Sequence, residues 1–131
     1  MSNVTYLGEL RTEATHERSG NKIITDAPVD NQGKGEAFSP TDLTATALAS
    51  CMLTIMGIKG SDRNIDIDGA TVSVQKVMNA EPRMISEIHV NFSLPEKGYS
   101  QEDLDFLKDA AINCPVAKSL NPEIKQVVNF H

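Results

Sequence analysis

Ser39-Pro40-Thr41-Asp42-Leu43-Thr44-Ala45-Thr46-Ala47-Leu48-Ala49-Ser50-Cys51-Met52-Leu53-Thr54 is the stretch on which the reading of this chain turns. Pro40 suits the first turn of a helix, where its missing N–H is no loss. Ser39 stands before it as an N-cap, and Asp42 lies in the first turn, favourable to the helix dipole. The pattern predicts a helix from Pro40 to about Met56, closed by Gly57 or Gly60. Apolar residues occupy nearly its whole circumference, so a sheet or a partner has to cover it on most sides. Residues 43–58 are too short for a bilayer span, carry four hydroxyl residues and are flanked by Asp42 and Lys59, which makes this a core helix.

Upstream, Val4 to Leu10, Glu13 to Ser19 and Asn21 to Thr25 read as short strands, the last two joined by a Ser19-Gly20 turn. Asp26 to Ser39, with Pro28, Gly33 and Gly35, is a long loop, mobile or functional. Downstream, strands are expected over Ile65 to Val77 and Met84 to Leu94. The second alternates strictly, with His89, Asn91 and Ser93 facing solvent, and Asn79-Ala80-Glu81-Pro82 forms the hairpin. Ser100 caps a further helix with Asp103 as its capping-box partner. Leu104, Leu107, Ala111 and Cys114 form one stripe of that helix. Pro115 starts a short helix through Leu120, and Val127, Val128 and Phe130 mark a last strand. The order strands, helix, strands, helix, strand describes one α+β domain over residues 1–131.

The chain has 131 residues, with 12 basic and 18 acidic side chains, a net charge of −6 and no basic cluster. Nucleic acid and anionic membrane surfaces, which need a positive patch, are excluded as partners on this reading. The first residues have neither a basic nor an apolar leader segment. Two cysteines without an export signal fit a reducing, cytoplasmic setting. His16, His89 and His131 match no metal-ligand spacing, so neither a metal nor a bound cofactor is expected.

Cys51 and Cys114 are the only thiols. Cys51 lies mid-helix, out of reach of the helix N-terminus, and needs a nearby cation to react as thiolate; periodicity alone reads it as an inert core residue. Cys114 precedes Pro115, so it can either cap a helix, where the dipole favours thiolate, or end an apolar stripe. Arg18, in Thr15-His16-Glu17-Arg18-Ser19-Gly20, is either the activating cation or a solvated turn residue paired with Glu17 or Asp26.

Ser39-Pro40-Thr41-Asp42-Leu43, then Ala47-Leu48-Ala49-Ser50-Cys51-Met52-Leu53-Thr54, then Cys114-Pro115-Val116 with Ser119-Leu120, together resemble the OsmC/Ohr family. That family comprises osmotically inducible protein C and the organic hydroperoxide resistance proteins. The similarity runs over nearly the whole chain, taking in the Ser19-Gly20 turn, Thr25-Asp26, the glycine loop and the terminal strand.

The resemblance implies an OsmC-like fold, strands wrapped around two central helices in an intertwined homodimer with the site at the interface. It implies a thiol peroxidase acting on small organic hydroperoxides. Cys51 then matches the peroxidatic cysteine, oxidised to a sulfenic acid, and Cys114 the resolving cysteine that condenses with it to a disulfide. An external dithiol of lipoyl or thioredoxin type would reset the pair. Arg18 matches the activating arginine. Its acidic partner in the hydroperoxide-resistance branch directly follows the proline; here that position is Thr41 and the acid is Asp42, turned by about 100° around the helix. Phe38, Met52, Leu53 and Met56 would form an apolar wall for the substrate. Two other functions stand beside this one: a non-catalytic binder of a small hydrophobic ligand, and a thiol redox sensor.

Overall fold

The computed structural model describes all residues from Met1 to His131 and divides into two compact units, Met1–Thr44 and Ala45–His131. Two helices of more than ten residues and two three-stranded sheets give the α+β class expected.

In the first unit, β1 (Ser2–Gly8), β2 (Arg11–His16) and β3 (Lys22–Asp26) form an antiparallel sheet in the order β1-β2-β3. Gly8, Glu9 and Leu10 all have positive φ (88°, 54° and 63°), which makes the β1–β2 turn tight and starts β2 two residues earlier than the sequence suggests. Val4, Ala14 and Ile23 form one cross-strand row. Only Thr25, Asp26 and Ser39 are buried in this unit, whereas Val4 is 65% and Tyr6 64% exposed.

The 26–39 loop is ordered by its own backbone: Asp26 N donates to Phe38 O at 3.0 Å, and Asn31 N and Gly33 N both donate to Pro28 O at 2.9 Å. Gly33 is obligatory, since a Cβ there would lie 1.7 Å from the Ala27 carbonyl oxygen. Asp26 anchors the same loop from its side chain. Its carboxylate receives Arg11 Nε at 2.7 Å and Nη2 at 2.8 Å, and Glu36 N at 3.1 Å.

The first helix, α1 (Pro40–Ser61), opens in this unit and continues past Thr44. It is longer than the sequence suggests. Both Gly57 and Gly60 lie inside it, because Asn64 (φ 58°), not a glycine, supplies the left-handed residue that ends it. Ile65 N donates to Gly60 O at 2.8 Å and Asn64 N to Ser61 O at 3.3 Å, the paired bonds of a Schellman ending. Gly60 matters for contact instead: a Cβ would stand 2.8 Å from Ile65 O. The chain spends Ile65 and Ile67 on this connection, so β4 (Thr71–Ala80) begins six residues after the expected start.

In the second unit, β5 (Arg83–Ser93) pairs antiparallel with β4 and parallel with β6 (Lys125–Phe130). Ile88, Val90 and Phe92 alternate inward from β5 and meet Leu48, Met52 and Met56 of α1 in one core. The helix α2 (Gln101–Ile112) adds Leu107 and Ala111 to it. Ser100 and Asp103 form the reciprocal capping box expected at the start of α2. By length and hydropathy α1 alone could cross a membrane, but its buried row, Ala45, Leu48, Ala49, Met52, Met56 and Gly60, is core-facing.

Candidate functional site

Cys51 and Cys114 meet in the second unit. Cys51 is half-buried on α1, one step along from the buried Met52, and packs against the core cluster. Cys114 is fully buried in that cluster, continuing the Leu107–Ala111 stripe as the sequence suggested. Both are free thiols, and Cys51 packs against the buried cluster that contains Cys114.

Local sequence explains why Cys114 is held there. Pro115 forces the preceding residue into extended geometry, and Cys114 has φ −69° and ψ 154°. The chain leaves α2 at Asn113 and immediately starts α3 (Pro115–Ser119), with Cys114 as its N-cap. Its Sγ accepts the Ala117 N–H at 3.4 Å, and its carbonyl accepts Lys118 N at 3.1 Å. Burial pushes the Cys114 thiol pKa up, and the neighbouring Cys51 pushes the same way; the Ala117 and Val116 amides oppose both. Cys114 is therefore both things the sequence left open, a core residue and a helix cap. At neutral pH its proton stays on sulfur.

A half-exposed thiol beside a buried one suits exchange between dithiol and disulfide. Of the two sulfurs, only Cys51 is open to solvent, since Cys114 is fully buried.

Arg18 and Asp42 belong to the first unit. Arg18 is exposed in the turn after β2, where His16 Nδ1 and Ser19 Oγ share a 2.6 Å hydrogen bond. Neither carboxylate considered for it in the sequence is bound to it: Asn3 Nδ2 donates to Glu17 at 2.6 Å, and Asp26 is held by Arg11. The bidentate Arg11–Asp26 pair was missed. A usable signal was Arg11 four residues before Thr15-His16, which strand pairing sets directly opposite Asp26. The Arg11 guanidinium, through its hydrogen bond, holds the Asp26 carboxyl below the usual carboxylate range against the effect of burial. Asp42 Oδ2 accepts Ser39 N at 3.0 Å while Ser39 Oγ accepts Asp42 N at 3.0 Å, a capping box that starts α1.

Of the expected apolar wall, Met52 and Met56 are wholly buried against the sheet and Leu53 is half-buried. Phe38, in the first unit, is 54% exposed. A polar cavity of about 420 Å³ lies at the C-terminal end of α1, lined by Gly57, Ser61, Asn64 and Asp66 among others.

The OsmC-like protein family matches residues 33–129, a span that includes both cysteines and both long helices. The chain belongs to the OsmC-like protein family. Among solved structures, a candidate osmotic stress induced and detoxification response protein from Psychrobacter arcticus 273-4 is 57% identical. The alignment covers 99% of this chain and 94% of that one, with a TM-score of 0.96. Two more distant members share the OsmC-like fold. The organic hydroperoxide resistance protein OsmC from Legionella pneumophila is 15% identical over 99% of this chain and 94% of its own, at a TM-score of 0.80. The organic hydroperoxide resistance protein OhrB of Bacillus subtilis is 18% identical over 100% and 98%, at 0.70. No curated protein matches this chain.

Proposed function

We propose that this OsmC-like protein reduces organic hydroperoxides with its two thiols. The observation that carries the reading is half-exposed Cys51 packed against the core cluster that holds buried Cys114. The Cys51 thiolate attacks the outer peroxide oxygen and the O–O bond breaks. The alcohol leaves with a proton, and Cys51 is left as sulfenic acid. The Cys114 sulfur displaces hydroxide from it, releasing water and forming the disulfide. An external dithiol of lipoyl or thioredoxin type then reduces the disulfide by two successive exchanges. Membership of a family whose solved members include hydroperoxide resistance proteins supports the substrate class. Arg18 is the cation we assign to Cys51 activation, and a cytoplasmic setting keeps both thiols reduced between turnovers.

The working form in this reading is a homodimer with the site at its interface. Val4 and Ile23, exposed in one cross-strand row, with exposed Tyr6 on the same face, support this, because so much apolar sheet surface calls for a cover. The Asp42 capping box favours the second reading, a non-catalytic binder of small hydrophobic ligands, since that carboxylate is already engaged at the helix start. Steady-state consumption of cumene hydroperoxide with dithiothreitol or a reduced lipoyl protein separates the two. Turnover that disappears in Cys51→Ser supports the peroxidase. Wild-type protein that consumes none of the peroxide rules it out and leaves the binder and the redox sensor.

A further inference from the structure

One polar side chain in the second unit occupies a position that its strand otherwise gives to apolar residues. β6 runs parallel to β5, with Gln126 opposite Ile88, Val128 opposite Val90 and Phe130 opposite Phe92. The three β5 residues are fully buried, and Val128 and Phe130 pack against the same core. Strand alternation puts Gln126 on that inward face with them.

Its side chain has a partner there. Gln126 Nε2 donates to the Ala117 carbonyl oxygen at 3.0 Å. That carbonyl sits in the last turn of α3, where helical carbonyls run out of amide donors, and the chain turns extended at Leu120 (ψ 155°). Ala117 also donates its own N–H to Cys114 Sγ at 3.4 Å. A single residue is thus bound to the thiol through its amide and to β6 through its carbonyl.

We propose that Gln126 is a positioning residue for Cys114: it pins the five-residue α3 to β6 and so holds the buried thiol in place beside Cys51. A helix this short has no stability of its own and needs tertiary anchors. Met or Leu at 126 would fill the same space on the apolar face but leave the Ala117 carbonyl without its donor. The proposal rests on the two-thiol reading of the site, and it places Gln126 in the disulfide-forming step, not in the attack on peroxide.

The test uses the full chain with Gln126→Met, which removes the donor at similar length, and Gln126→Glu, which keeps the shape but is acceptor-only at neutral pH. Two measurements are made. In a single turnover with one equivalent of cumene hydroperoxide, loss of the Cys51 thiol should stay within about twofold of wild type. Disulfide formation should slow by about five- to tenfold, the fold-change expected from one lost hydrogen bond, and dimedone should now capture Cys51 sulfenic acid.

The second measurement needs no peroxide: equilibration against reduced and oxidised dithiothreitol, with circular dichroism checking that the reduced variants are folded. The disulfide should be disfavoured by a similar factor in either folded variant. A merely structural role would lower the melting temperature and leave that equilibrium in place. Wild-type rates and equilibria in a folded variant overturn the proposal. Failure of wild-type protein to consume peroxide would sink the peroxidase reading alone, because the dithiothreitol equilibrium still decides the role of Gln126.

Discussion

Cys114 carries its own pH signature. Burial raises its folded pKa above the ordinary cysteine value of about 8.5. Between those two values the unfolded chain has lost a proton that the native chain still holds, so native stability falls as pH rises through the interval. Under reducing conditions, the urea midpoint of wild type should therefore drop from about pH 8 to pH 10 more steeply than that of Cys114→Ser. Equal slopes would mean that the thiol is not desolvated. Arg18 gives a kinetic prediction: Arg18→Ala should cut peroxidase turnover by about tenfold or more, roughly 1.4 kcal/mol in the barrier. Asp42→Asn should do much less to turnover, because its carboxylate works on the Ser39 amide. Turnover untouched by Arg18→Ala would remove Arg18 from the mechanism. The placement of Cys114 was legible because proline fixes the residue before it and because apolar spacing put it on the α2 stripe. Gln126 was not legible. A glutamine between charged and apolar strand residues looks like surface, and only the parallel pairing with Ile88 turns it inward.

At the scale of elements, sequence was most informative where a side chain closes its own backbone. Ser39 with Asp42 and Ser100 with Asp103 are local capping signals, and both helices start where those signals place them. The end of α1 failed for a complementary reason. Two glycines looked like stops, yet the left-handed residue is Asn64, and Gly60 is present to let Ile65 approach. Such a contact depends on how the chain returns, which no local pattern encodes. The loop after β3 behaves likewise: its order comes from Asp26, whose partner Arg11 lies a whole hairpin away. That pair sets an acid limit. Asp26 has a depressed folded pKa, so its contribution is present at neutral pH and is lost as pH falls through the folded value. Arg11→Met should move the acid-unfolding midpoint, followed by fluorescence of an added dye or by circular dichroism, to higher pH. A midpoint left where wild type has it would show that the pair does not hold the loop.

For the molecule as a whole, the α+β order and the family were legible in the sequence, but the exposure of the N-terminal sheet was not. Val4, Tyr6 and Leu7 of β1 are all exposed, which nothing in the strand's own pattern signals. A homodimer that covers this face should sediment as a dimer at micromolar concentration, and Tyr6→Asp should weaken it or make the chain aggregate. A stable, folded wild-type monomer at that concentration would refute the dimer.

The polar interior and apolar exterior of residues 1–44 bear on how the protein is made. These residues leave the ribosome before the rest of the chain and bring three short strands with two open edges. Unpaired edges and bare apolar rows are what draw nascent chains into wrong partnerships. Synthesis on a shared messenger, where identical chains emerge side by side, would shorten the time this surface stays uncovered. Its yield in a cell should then depend on translation density as well as on the stability of the finished fold.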